Sequence, residues 1–235
     1  MVLSLHRLLD TNSKYAELND KITAVLIKRI EASSFGLLQS YPGEVYSVDN
    51  CAVIGSIGLH GKATGKDYTL LVSTWIDNFR KRCVDRTGLL FQALDCNSCE
   101  AIDLPRGSGT ALGLYMISFA DQNFAATLYS AMRSQLTRNI FGFGGVREYI
   151  AGTTGKYGDI DSGPVVFGFG LSATGFAISG ARLCYDQSYY SRLYATAYAW
   201  GAPYQRDGKL NFVTGASLGD AIMFAMLTAP KGGLK

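Results

Sequence analysis

The chain predicts an all-α fold, an α/α toroid of antiparallel helical hairpins, and three observations carry that expectation. Apolar residues recur at steps of three and four through most of the sequence, few runs alternate with period two, and small-residue helices are followed by amphipathic ones. Residues 14–32 place Leu18, Ile22, Val25, Leu26 and Ile30 on one stripe behind the capping candidates Thr11, Asn12 and Ser13. Asp49 or Asn50 caps the next helix, residues 51–60, whose Ala52, Gly55, Ser56 and Gly58 permit close helix contact before Gly61 ends it.

Residues 66–84 form an amphipathic partner with Trp75 and Phe79 on its apolar stripe, and Gly88 closes that unit. Residues 90–109 read as irregular. Helices follow over 110–119 and 123–136, split near Asp121, then over 172–184, 188–200 and 217–227, the last stopped by Pro230. Between them, the glycine-dense stretch 139–170 is incompatible with regular helix and implies a long ordered loop of functional character. Small-faced helices inside and amphipathic helices outside are what a concentric ring requires, so residues 1–235 read as one toroid-like domain.

Composition narrows the function. The 235 residues are 48% hydrophobic and 17% charged, which excludes a disordered tail, a collagen-like fibre and a disulfide mini-scaffold. Lys+Arg 22 against Asp+Glu 19 gives +3, scattered along the chain, with no nucleic-acid or membrane-surface footprint. His6, Arg7 and Asp10 break the apolar run of the first ten residues, so no signal peptide is read. The most apolar stretch, residues 164–178, falls short of the ~20 residues of a bilayer span. Five cysteines without framework spacing suit a reducing, cytoplasmic compartment.

The ordered pieces YSVDN, HGKATGKDY, W-x-D, DRTGLL, PRGSG, VREY and DIDSGP, spread over roughly residues 41–230, resemble the α/α-toroid superfamily. That superfamily includes six-hairpin glycosidases, terpene-processing dehydratase-isomerases and uncharacterised bacterial proteins. The resemblance implies a central cleft for a small organic substrate. Such toroids use six hairpins, whereas about eight helices make four. An incomplete ring, a fragment, or a protomer completed by a second copy or a partner chain is then implied.

In a helical ring, inner-helix N-termini converge on one rim, which directs attention to the loop acids Asp49, Glu148, Asp159 and Asp161 as catalytic candidates. A pair of carboxylates is the minimum kit for glycoside hydrolysis, one protonating the leaving oxygen and the other activating water or attacking. Capping is the competing role for Asp49 and Asp161, and a loop-pinning ion pair with Arg147 for Glu148. Asn50, Arg106, Arg147, Tyr46, Tyr149 and Tyr157 are the substrate-binding candidates: the arginines could grip an anion, and the tyrosines could wall a sugar ring or an isoprenoid chain. An apolar cavity beside one isolated acid would favour the isoprenoid-like ligand, and a wet cleft with paired acids the saccharide. A non-catalytic binding or scaffolding domain needs neither.

No metal or cofactor is expected. Cys96 and Cys99 form a C-x-x-C without a second pair of matching spacing, and His60 reads as a helix C-terminal residue. GFGLSATG is not a nucleophile elbow, because Thr174 replaces the second glycine, and neither glycine-rich fragment carries the Lys-Ser/Thr of a phosphate loop.

Overall fold

A computed structural model describes residues 1–153, 163, 165–166 and 168–230. The chain opens with α1 (Val2–Leu9) and α2 (Ala16–Ala32), followed by the short strand β1 (Glu44–Tyr46) and the long helix α3 (Ser47–Thr64). Helix α4 (Thr69–Cys83), strand β2 (Ala93–Asp95), and helices α5 (Gly107–Ile117) and α6 (Gln122–Leu136) come next. A hairpin, β3 (Thr137–Ile140) with β4 (Phe143–Val146), precedes β5 (Val165–Val166) and β6 (Phe169–Gly170). The described chain ends with α7 (Leu171–Leu183), α8 (Gln187–Gly201), β7 (Pro203–Arg206), β8 (Lys209–Phe212) and α9 (Ala216–Thr228).

Among the described residues, four antiparallel two-stranded sheets, β1 with β2, β3 with β4, β5 with β6 and β7 with β8, overturn the all-α expectation. None of the strands exceeds four residues, too short for a period-two signal to rise above the helical one. Two of the hairpins turn on left-handed residue pairs, Phe141-Gly142 and Asp207-Gly208, the φ combination of a type I′ turn.

Helices α3, α5 and α7 lie side by side and parallel. Cys51 faces Gly113, Gly55 faces Met116 and Gly58 faces Ala120, while Gly107 meets Ala173 and Gly180 meets Leu114. A β-carbon on Gly55 would stand 2.1 Å from the Met116 carbonyl oxygen, so the close approach of α3 and α5 requires glycine there. Arg182, near the end of α7, donates to the carbonyl of Ala229 just after α9, which sets α9 parallel as well. The toroid expectation is corrected here: among the described residues, contacts pass along the row α3, α5, α7, α9, and no comparable contact joins α9 back to α3. The apolar core runs through this row and takes in Trp75 and Phe79 of α4, Leu128 of α6 and Leu193 of α8.

Two caps work as their residue types suggest: Asp121 accepts from the Phe124 N–H at 2.7 Å and Asp186 from the Tyr189 N–H at 3.0 Å. The stripe of α2 is only partly inward: Ile30 is buried and Leu26 packs on the core, but Leu18, Ile22 and Val25 are exposed and Asn19 and Thr23 buried, because Asn19 donates to Ser4 of α1 at 3.0 Å and draws that polar edge inward. Among the described residues, no helix is long and apolar enough to cross a membrane.

Candidate functional site

The parallel row brings the first turns of α3, α5 and α7 to one end of the molecule, and Glu148 enters between the last two. Its carboxylate is 1% exposed. The Ser108 hydroxyl donates to Oε1 at 2.6 Å and the Ser108 N–H to Oε2 at 3.2 Å, while the Glu148 carbonyl accepts from Gly107 N–H at 2.8 Å. These donors belong to the N-terminus of α5, where the helix dipole favours a negative charge. On the other side, a β-carbon on Gly170 would stand 3.0 Å from Oε2, so the carboxylate abuts the residue that precedes α7.

Arg106 and Tyr149 complete this corner. Arg106 is buried, pairs with Asp103, and lays its guanidinium 5.8 Å from the centre of the Tyr149 ring. Arg147 is half-buried and donates to the Thr137 carbonyl at 3.4 Å. A cavity of about 180 Å³ opens beside them, lined in part by Arg147, Glu148, Tyr149, Ile150 and Gly168. Four candidates, Glu148, Arg106, Arg147 and Tyr149, thus lie together.

The others stand apart. Asp49 lies in the first turn of α3, exposed, and is not its cap. Asn50 is buried in the same turn; its amide oxygen accepts from the Leu38 N–H at 2.8 Å, and its amide nitrogen donates to the Leu38 and Tyr46 carbonyls. It ties the preceding loop to the helix. Tyr46 packs edge-on against Tyr41 with centroids 5.3 Å apart. Asp159, Asp161 and Tyr157 lie outside the described residues.

A larger cavity, about 440 Å³, lies between α7, α8, β8 and α9. Leu171, Trp200, Phe212, Leu218, Ile222 and Met223 form much of its wall, and among the described residues no charged side chain lines it. Its threonine hydroxyls are turned to backbone: Thr174 accepts from Val146 N–H, Thr196 donates to the Gly144 carbonyl at 2.6 Å, and Thr214 to the Trp200 carbonyl at 2.9 Å. What faces the space is therefore predominantly carbon. Leu171 and Ser172 stand in its wall, directly after the Gly170 that abuts Glu148.

Sequence reasoning missed two further constellations. His60 does not close a helix end; it is 1% exposed inside α3, with Nε2 2.6 Å from Asp20 Oδ1 and Nδ1 3.0 Å from the Tyr68 hydroxyl. Asp20 is also bound by Arg7 at 2.7 Å, and the hydrogen bonds with His60 and Arg7 hold its carboxyl below the ordinary value. Asp186 accepts from the Tyr129 hydroxyl at 2.8 Å and Arg133 Nε at 2.9 Å. Burial works to raise its carboxyl, but the bonds from Tyr189 N–H, Tyr129 and Arg133 win and lower it. Forty residues separate Asp20 from His60 and 57 separate Tyr129 from Asp186, so no local motif announces either group.

Cys96 and Cys99 sit on the turn after β2, and among the described residues no group of three or more His, Cys, Asp or Glu side chains is placed to hold a metal ion. No family model matches the chain, and no curated protein matches it.

Proposed function

We propose that the chain binds a small, neutral and largely apolar organic molecule between α7, α8 and α9, with Glu148 as the carboxylate available for acid–base chemistry at the end where α7 begins. The observation that carries this reading is the cavity of about 440 Å³ whose lining, among the described residues, is free of charged side chains, a size and character typical of ligand sites. Carbon walls favour a hydrocarbon-like ligand over a saccharide, whose many hydroxyls would lose water without finding partners there. Glu148 lines the cavity of about 180 Å³ and is fixed by Ser108, which suits proton transfer to or from a ligand group that extends past Gly170.

The test is a thermal-shift comparison of 1-octanol with octanoate. Occupancy at 100 times the dissociation constant stabilises the folded state by about 2.7 kcal/mol, which at this chain length is a rise of roughly 5–10 °C in Tm. The alcohol is expected to produce that rise and the carboxylate is not, because a charge has no partner in the cavity. An equal rise with both, or none with the alcohol, would overturn the reading.

A further inference from the structure

The Asp20, His60 and Tyr68 side chains belong to no part of the proposed ligand cavity. His60 lies 13 residues beyond the start of α3, roughly 20 Å along the helix axis from the end where Glu148 sits. Beside Tyr68 lies a separate cleft of about 530 Å³, lined in part by Ile30, Glu31, Asp67, Tyr68, Leu71 and Trp75. Tyr68 stands at the mouth of α4, half-buried, with its hydroxyl on His60 Nδ1.

The distances fit one tautomer of a neutral ring: His60 Nε2–H donates to Asp20, itself held by Arg7, at 2.6 Å, and Nδ1 accepts from the Tyr68 hydroxyl at 3.0 Å. A nucleophile on a base, and that base on a carboxylate that orients it, both within hydrogen-bond reach, is the arrangement that activates hydroxyl side chains for attack. The ring that links them is excluded from water, which strengthens both contacts. Asp20, Arg7 and Tyr68 are the ionisable groups on α2, α1 and the start of α4 that face this ring.

We propose that Tyr68 is a nucleophilic acyl-acceptor site, with His60 as its general base and Asp20 as the residue that positions the imidazole, serving an activated acyl donor bound in the adjoining cleft. With an N-acyl imidazole as donor, the Tyr68 oxygen forms a bond to the acyl carbon and the bond from that carbon to imidazole nitrogen breaks. The phenolic proton passes to His60 Nδ1 and then to the departing imidazole, so the products are O-acyl Tyr68 and neutral imidazole. Burial, and secondarily the Asp20 carboxylate, push the phenol up, so the proton must leave as the new bond forms and His60 becomes necessary.

Exposed tyrosines provide the reference. Tyr41 is 59% exposed and Tyr198 47%. The full chain is treated with N-acetylimidazole at neutral pH, and the rate at each tyrosine is read by peptide mass spectrometry. Tyr68 is expected to acetylate at least tenfold faster than Tyr41 and Tyr198. In H60Q its rate should fall at least tenfold while the two references keep theirs. A Tyr68 rate at or below that of Tyr41 in the unaltered protein overturns the proposal without recourse to any variant, and so does an unchanged rate in H60Q. If H60Q loses cooperative unfolding, D20N replaces it: a slower Tyr68 supports the relay and an unchanged one overturns it. A merely structural knot of these three side chains would move the melting temperature of the variants but leave Tyr68 slower than the exposed tyrosines throughout.

Discussion

Gly175 offers a way to close the proposed ligand cavity without disturbing its walls. It lies within α7, lines the 440 Å³ space, and a β-carbon added there meets nothing within 4 Å. G175L should therefore set its β-carbon without a clash and extend the rest of the side chain into the cavity. Replacing glycine by leucine inside a helix contributes roughly 0.8 kcal/mol. Covering about half of a leucine side chain adds on the order of 1 kcal/mol, since full burial stabilises by roughly 1.5–3 kcal/mol. Together these raise Tm by roughly 4–8 °C in a chain of this length. The same side chain occupies ligand space, so the stabilisation by 1-octanol should disappear. Differential scanning calorimetry with and without the alcohol reads both effects. A variant that melts lower than the parent, or one that still responds to 1-octanol, would refute the reasoning, because each outcome means that the space beside Gly175 is not the open apolar volume described.

Removing the Glu148 carboxylate in E148A strands the Ser108 hydroxyl and N–H in a buried corner and should cost about 3 kcal/mol by chemical denaturation, against about 1 kcal/mol for E148Q, which keeps an acceptor oxygen. D186A removes a helix cap together with the partner of Arg133 and Tyr129, and a loss of roughly 2–4 kcal/mol in urea unfolding is expected. Thiol labelling of the native protein should reach half-buried Cys96 first and leave Cys51 and Cys83 untouched until unfolding, since burial pushes the Cys51 thiol well up and that of Cys83 up to about 12. The Asp20 carboxyl is lower in the folded chain than its ordinary 3.8, so its contribution is present in full above that value and fades as pH falls through and below it. Urea midpoints between pH 5 and pH 2 should thus fall less steeply in D20N than in the parent.

Periodicity made the helices legible: the stripe of Trp75 and Phe79 recurs in the molecule, and the break read near Asp121 falls at a cap, whereas the capping candidates Thr11, Asn12, Ser13, Asp49 and Asn50 do not cap α2 and α3. Burial direction was less legible. The stripe of Leu18, Ile22, Val25, Leu26 and Ile30 points to a buried face, yet only Leu26 and Ile30 reach the core, and the hydrogen-bonded pair of Asn19 with Ser4 leaves the other three outside. The β7–β8 hairpin carried a readable signal, Asp207-Gly208 between two short runs, that the helical pattern around it concealed. The ring failed for a different reason: pairing of small-faced and amphipathic helices encodes a parallel row, and nothing in that pattern specifies that the row closes.

The candidate site was readable only in part. VREY and PRGSG supplied Glu148, Arg147, Tyr149 and Arg106, which meet because α5 and α7 begin side by side. Asn50 was chosen as a polar residue at a helix start, and that same polarity is consumed in fastening residue 38. The apolar cavity had no local signature, because its walls come from two helices and a hairpin as well as α7, and their side chains read simply as core.

The central claim, that the space between α7, α8 and α9 receives a neutral apolar molecule, is tested most directly by nuclear magnetic resonance of the protein with bound 1-octanol. Intermolecular Overhauser contacts from the alkyl chain to the Trp200 indole and to the Ile222 and Met223 methyl groups are the predicted result. Contacts confined to Leu71 and Trp75 in the opposite cleft, or no saturable contacts at all, would contradict it.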